Sequence, residues 1–255
     1  MNDVLRVAMV QVGETADSLA AKVGVDPKSA ARWVSRGSVP HPGTRAAVAQ
    51  ILGREVGELW PETLMRRGPI WFRPWVENER EATSLRSFEM NIVPGLLQTR
   101  AYATALFRGG ALLTDDEVEE RVELRLERQA LLAGENPPMF TAVFDESVLR
   151  RPVGGRAVMR EQLLHLLAMA ESPRVRLHVV PWAVGAYPGL AGPLVLATLP
   201  GGQGLSYLDD HLEGQVIEKA GDLETLQRIW ESVRSEALPH QQTVELIREV
   251  AETWI

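Results

Sequence analysis

Apolar residues recur every three to four positions through the first quarter of the chain. Leu19, Ala20 and Val23 form one set, and Ala30, Trp33 and Val34 a second, with charged or small polar residues between them. That period predicts two short amphipathic helices, each with one face turned inward. Their ends are punctuated. Glu14 or Thr15 starts the first helix at Ala16, and Gly24 ends it, because glycine enters positive φ without steric cost. Asp26-Pro27 opens the second, with the aspartate as N-cap and the proline where a missing N–H costs nothing. Gly37 stops it. Little more than Val25 separates the two, a joint tight enough for a helix-turn-helix. "GTRAAVAQILG" (43–53), with Val48, Ile51 and Leu52 inward, and "EVGELWP" (55–61), with Leu59 and Trp60, continue the helical pattern.

The pattern changes at "PETLMRRGPIWFRPWVENE" (61–79). Pro61, Gly68 and Pro74 argue against a continuous helix, so a boundary near residue 66 divides the chain into domains 1–65 and 66–255. Trp71, Phe72 and Trp75 are too many aromatics for a solvated tether, and are expected as buried anchors on the C-terminal domain. Beyond them, 82–94 has period-two character, and 94–110 reads as a helix opened by Pro94 and closed by Gly109-Gly110. A long helix is expected over 114–134, capped by Thr114 or Asp115, with Val118, Val122 and Leu126 on its apolar line. Its charges, such as Glu117 with Arg121, are expected to form a solvated face. Runs bounded by Gly and Pro at 139–144, 175–181, 192–200, 204–208 and 214–220 predict strands. A helix over 156–172 lies between the first two, giving one crossover unit followed by shorter antiparallel strands. Helices at 222–237 and 239–255 finish the chain. The expected C-terminal fold is α+β, a mixed sheet with several helices.

Composition narrows the function classes. The 255 residues are 45% hydrophobic and 24% charged, in the range of globular proteins. With no Cys, disulfides, thiolate metal sites and cysteine nucleophiles are excluded. "MNDVLRVAMVQVGETADS" lacks the basic start and long apolar run of a signal peptide, and nowhere do about 18 apolar residues run together. A cytoplasmic protein with no membrane association is expected. The net charge of −7 conceals an asymmetry. Residues 1–60 carry seven Lys/Arg against six Asp/Glu, whereas the remainder carries twenty against twenty-eight. Within 22–54, six basic residues face Asp26 alone. A basic patch near one end of an acidic chain points to nucleic acid as a partner.

Lys28, Arg32 and Arg36 are four residues apart, so a helix gathers them into one stripe. Like charges at that spacing disfavour an isolated helix, and a polyanion such as DNA offsets the cost. The small Ala20 before Gly24 and the large Trp33 after it complete a pattern that resembles the helix-turn-helix of phage-repressor-like (XRE-type) regulators. The resemblance extends over the two following helices and implies an all-α, five-helix DNA-binding domain. It places Lys28, Ser29 and Arg32 at base edges in the major groove, and Arg36, His41 and Arg45 at phosphates. Members of that family open the first motif helix with a phosphate-clamping Gln; here Ala16 stands there, with Thr15 or Ser18 as the substitute contact. A homodimer on a two-fold operator is expected, with its dimer surface in the C-terminal domain.

The second half offers weaker chemistry. His41, His165, His178, His211 and His240 show no metal-ligand spacing, and no P-loop or G-x-S-x-G elbow occurs, so no cofactor, metal or catalytic residue is expected. "FDESVLRRP" (144–152) puts Asp145 and Glu146 at a strand end with Arg150 and Arg151 close behind. "PWAVGAYPGL" (181–190) supplies Trp182 and Tyr187 on a loop able to close over a pocket. These six are the candidate ligand site; the competing reading is an Asp cap with local salt bridges and a packed loop. Over roughly 70–250 the chain resembles the C-terminal domain of unassigned function found on actinobacterial helix-turn-helix regulators, WhiJ-like developmental regulators among them. The run around Pro94–Thr99, within "IVPGLLQTRAYATALF", carries that resemblance most specifically. It implies a regulator whose C-terminal domain senses a small molecule or binds a partner, such as a small acidic protein. Two alternatives stand beside it: a toxin–antitoxin-like interaction module with autoregulatory DNA binding, and an enzyme fused to a DNA-binding head.

Overall fold

The computed structural model describes residues 2–35, 38–40, 42–54, 56–60, 72–209 and 214–254. The chain divides into two compact units, Met1–Arg67 and Gly68–Ile255. No helix of the described residues is long and apolar enough to cross a membrane.

The N-terminal unit is helical. Its described elements are α1 (Asp3–Gln11), α2 (Ala16–Val23), α3 (Pro27–Ser35), α4 (Pro42–Leu52) and α5 (Val56–Leu59). Thr15 caps α2 in a reciprocal box with Ser18, and Gly24 ends α2 in the left-handed region at φ 71°. Asp26 accepts the Lys28 N–H (2.8 Å) at the head of α3. The apolar faces of α2 and α3, with Leu19, Ala20, Ala30 and Trp33, meet Val48 and Leu52 of α4 in one core. Asn2 ties the start of the chain to this core, donating its side-chain N–H to the Leu59 carbonyl (2.6 Å) and its backbone N–H to Val34 (2.9 Å).

The C-terminal unit is built on a six-stranded mixed sheet of order β3-β2-β1-β4-β5-β6. The strands are β1 (Ser84–Glu89), β2 (Met139–Asp145), β3 (Val175–Val180), β4 (Leu194–Thr198), β5 (Gly204–Asp209) and β6 (Gly214–Ile217). β1, β2 and β3 run parallel, in register from Leu85↔Phe140 to Glu89↔Phe144 and from Phe140↔Val175 onward. β4, β5 and β6 pair antiparallel on the other side. There are thus two parallel steps where the sequence pattern predicts one crossover. The extra one is the β1–β2 connection through α7 (Arg100–Gly109) and α8 (Asp115–Gln129). The helix expected over 94–110 starts only at Arg100, because Thr99 caps it (accepting from Tyr102 N–H) and Pro94 instead leads a short 3-10 turn.

Alternation along the strands gives the sheet two apolar faces. Leu85, Phe140, Leu177 and Ala197 face α6 (Arg73–Glu81), α7, α10 (Arg156–Ala170) and α12 (His240–Glu252), through Trp75, Tyr102, Met159 and Ile247. Phe88, Val143 and Leu196 face α11 (Ala220–Glu236), through Trp230 and Val233. Pro74 sits in the first turn of α6, where a proline is tolerated. A short α9 (Ser147–Arg150) follows β2.

The chain entering α12 is bonded along β3. Leu177 N–H donates to His240 Nδ1 (3.1 Å), Val179 N–H to Thr243 Oγ1 (3.1 Å), and Leu238 N–H to the Val179 carbonyl (2.8 Å). His178 Nδ1 lies 2.9 Å from the Leu238 carbonyl, which makes Nδ1 the protonated nitrogen of a neutral ring. Burial holds this ring's pKa down at about 4, outweighing the Leu238 bond, with Arg234, His240 and Arg176 acting in the same direction as burial. Below about pH 6.5 the unfolded chain binds a proton that the folded chain refuses. Stability is therefore greatest above that value and falls as pH drops toward 4, by about 3 kcal/mol in all. Urea unfolding followed across this range is expected to show that loss, and His178→Asn, which keeps a donor near the Nδ1 position, should flatten it.

Candidate functional site

Two places concentrate chemistry. On the N-terminal unit it is the outer face of α3. Lys28 and Arg32 are exposed, one helical turn apart, and neither forms an ion pair with a described residue. Arg32 folds back along the helix, donating from Nη2 to Ser29 Oγ (3.1 Å) and from Nε to the Lys28 carbonyl (3.3 Å). The structure therefore brings Lys28, Ser29 and Arg32 together on one surface. Arg36 and His41 lie outside the described residues. Thr15 is exposed, but its hydroxyl accepts from Ser18 N–H (3.1 Å) as a helix cap.

Arg45 requires a correction. Expected at a phosphate on the surface, it is only 3% exposed. α4 turns Arg45, Val48, Ala49 and Leu52 inward at i, i+3, i+4 and i+7, so the guanidinium enters the core with the apolar stripe. Its Nε has no hydrogen-bond partner among the described residues.

The cluster expected to bind a ligand in the C-terminal unit is instead occupied with itself. Asp145 Oδ1 accepts the Ser147 N–H (2.8 Å), and Oδ2 accepts the Tyr187 hydroxyl (2.8 Å). Burial, and then the Asp145 bond, hold the Tyr187 hydroxyl well above its ordinary pKa, so it stays a donor. Glu146 takes both Nε and Nη2 of Arg150 (2.9 and 2.8 Å) and the Trp182 backbone N–H (3.0 Å). These contacts pin the 181–190 loop to the end of β2. Trp182, expected to close over a pocket, is 70% exposed, and Arg151 is exposed as well. The geometry fits a cap and local salt bridges.

A cavity of about 490 Å³ opens elsewhere, over the β1–β4–β5 side of the sheet. Phe72 and Trp75 of the α6 segment, Phe140 of β2 and Tyr207 of β5 form its apolar wall; Glu79, Glu89, Arg125, Arg128 and Asp209 supply charge. Trp75 is fully buried and stacks on Tyr207, with ring centroids 5.2 Å apart; Phe72 meets Tyr207 edge-on at 5.3 Å. Glu79 holds Arg128 in a bidentate pair (2.8 and 2.7 Å) and accepts the Trp75 indole N–H (3.2 Å), while Arg128 lies 4.6 Å over the Phe72 ring. That pair is closed. Arg125 is not: Nη1 donates to Gln98 Oε1 (2.7 Å), while Nε and Nη2 meet no acceptor among the described residues. Nor does either carboxyl oxygen of Glu89 accept a bond from a described residue.

Desolvation dominates both groups. Burial, reinforced by Asp209 and opposed by Arg125, raises the Glu89 carboxyl to about 8. Burial and the neighbouring Arg128 bring Arg125 down to about 10, still cationic at neutral pH. Among the described residues, no group of His, Asp and Glu is arranged to hold a metal ion.

The sequence reading missed this site because it placed the charges of 114–134 in solvent. A signal was present: Val118, Val122, Arg125 and Gln129 fall at i, i+4, i+7 and i+11, one inward face. Gln129 indeed reaches the Gly95 and Gln98 carbonyls (2.9 and 2.7 Å) under α8.

A domain with helices on both sides of a mixed six-stranded sheet, enclosing a charged and aromatic cavity, is the class this geometry defines. Residues 72–249 match the family described as a domain of unknown function (DUF5753), and the chain belongs to that family. No characterised protein and no solved structure matches the chain.

Proposed function

We propose that the protein is a sequence-specific DNA-binding transcriptional regulator of the cytoplasm, whose C-terminal domain takes a small-molecule or protein effector. The N-terminal domain acts as an XRE-type helix-turn-helix. In this reading α2 crosses the DNA backbone and α3 enters the major groove, with Lys28, Ser29 and Arg32 at base edges and Arg36 and His41 near phosphates. The chain acts as a homodimer on a two-fold operator and performs no catalysis.

One observation carries the reading: Lys28 and Arg32, exposed and without counter-ions among the described residues, lie on the second of two helices joined by a left-handed glycine. Such a stripe is unfavourable until a polyanion neutralises it. The cavity supports the effector role, since a cleft of several hundred Å³ in which charged groups converge beside an aromatic wall suits a small molecule.

The test is selection of bound fragments from random DNA, followed by titration of the selected operator. Arg32→Ala should weaken operator binding by about 1–3 kcal/mol and relax selectivity at one base pair; Lys28→Ala should lower affinity and the salt dependence together. Binding unchanged in both variants, or no selected sequence at low salt, sinks the proposal.

A further inference from the structure

In the C-terminal cavity an arginine and a glutamate face the same space without forming an ion pair. No N···O distance within 4.0 Å joins Arg125 to Glu89. Each is walled by apolar surface, and each keeps hydrogen-bonding capacity that no described residue uses. The remaining charges around them are committed: Arg128 to Glu79, and Asp209 Oδ1 to the Tyr207 hydroxyl (3.3 Å) at the exposed end of β5.

We propose that this cavity binds a small zwitterion, its carboxylate on Arg125, its ammonium on Glu89 and its apolar body along Phe140 and the Trp75–Tyr207 stack. The assignment deepens, and rests on, the reading of this domain as the effector-binding part of the protein.

The chemistry selects among ligand types. An anion bound to Arg125 alone would share the cavity with the Asp209 carboxylate and would give Glu89 no cation to compensate it once it ionises. A cation bound to Glu89 alone would lie beside the desolvated Arg125. A molecule carrying both charges compensates both groups at once, and charge-assisted hydrogen bonds in a partly dry site are the strong ones. Three aromatic rings and Phe140 then require an apolar body, and a volume of about 490 Å³ holds an aromatic amino acid or a dipeptide. A free amino acid and a peptide share this chemistry.

Glu89 adds a proton signature. Arg125 and Arg128 of α8, Glu79 of α6, and Tyr207 and Asp209 of β5 line the cavity with it, and burial keeps it protonated at neutral pH. Binding an ammonium requires the carboxylate. The zwitterion must therefore expel a proton when it binds near pH 7, and affinity must rise as pH climbs toward about 8.

The experiment is calorimetric titration of the full-length, DNA-free protein in buffers of different ionisation enthalpy. The probes are L-phenylalanine, L-phenylalanyl-L-phenylalanine, 2-phenylethylamine and 3-phenylpropionate. At least one zwitterion should bind about tenfold or more tighter than either singly charged analogue, with proton release. Preference between the free amino acid and the dipeptide identifies the source. The near-isosteric Glu89→Gln should lower zwitterion affinity about tenfold or more and abolish the proton release while leaving the fold intact by circular dichroism. Failure of all four probes, equal binding of 3-phenylpropionate and phenylalanine, or an unaffected Glu89→Gln variant overturns the proposal. Because no DNA is present, failure of operator binding leaves this result untouched, and the reverse also holds.

Discussion

Replacing Glu79 with alanine is expected to destabilise the C-terminal domain by about 3–5 kcal/mol, the cost of leaving a buried charge without its partner. The Glu79 side chain is 5% exposed and that of Arg128 18%, and two parallel N–H···O bonds of 2.7–2.8 Å join them. Without the carboxylate, the Arg128 guanidinium keeps its desolvation cost over the Phe72 ring, and the Trp75 indole N–H loses its acceptor. A loss of that size is a large part of the roughly 5–15 kcal/mol that holds a domain folded. The pair need not be stabilising in itself: a double change to methionine at Glu79 and Arg128 should recover most of the loss. Urea unfolding monitored by tryptophan fluorescence gives both values. A Glu79→Ala effect under about 1 kcal/mol would mean that the pair is hydrated and behaves as a surface bridge.

Trp33→Ala should have a comparable effect on the N-terminal unit. Trp33 is 5% exposed, lies under the cation stripe of α3 and belongs to a core shared by α2 and α4. Truncating a buried tryptophan costs about 3–5 kcal/mol, and a core of this size rarely supplies more than that in total. Hydrogen exchange on the intact protein should show peptides of residues 2–60 losing protection while those of the sheet keep theirs, and the operator binding proposed above should vanish without loss of a cation. Retained protection over 16–35 would show that another contact supports the helix pair.

What was legible in the sequence was local. Thr15, Gly24 and Asp26-Pro27 mark the ends of α2 and α3 because cap and turn conformations admit few residue types. The strand runs at 139–144 and 175–181 were legible because they are short, mostly apolar and rich in β-branched and aromatic residues, with prolines close by. The parallel partner of β2 on its other side was not, since 82–94 has only a modest period and register with β2 depends on a connection of some fifty residues. Arg45 misled because a cation after two helices joined by a tight turn reads as surface, while its place in the inward stripe of α4 decides its burial. The Asp145–Arg151 cluster drew attention because its members adjoin one another in sequence, and that proximity is what lets them satisfy one another. The cavity groups are far apart in the chain. Trp75, Glu89, Arg125 and Tyr207 span more than a hundred residues and meet only when α6 and α8 pack on the sheet.

β3 forms one margin of the sheet, and its outward-facing N–H groups at Leu177 and Val179 are taken by His240 and Thr243 of the same chain. A bare margin of this kind templates intermolecular pairing, the route to domain swapping and fibrils. Here the lead-in to α12 acts as a built-in selvage: neither a second molecule nor an aggregation nucleus finds a free donor there.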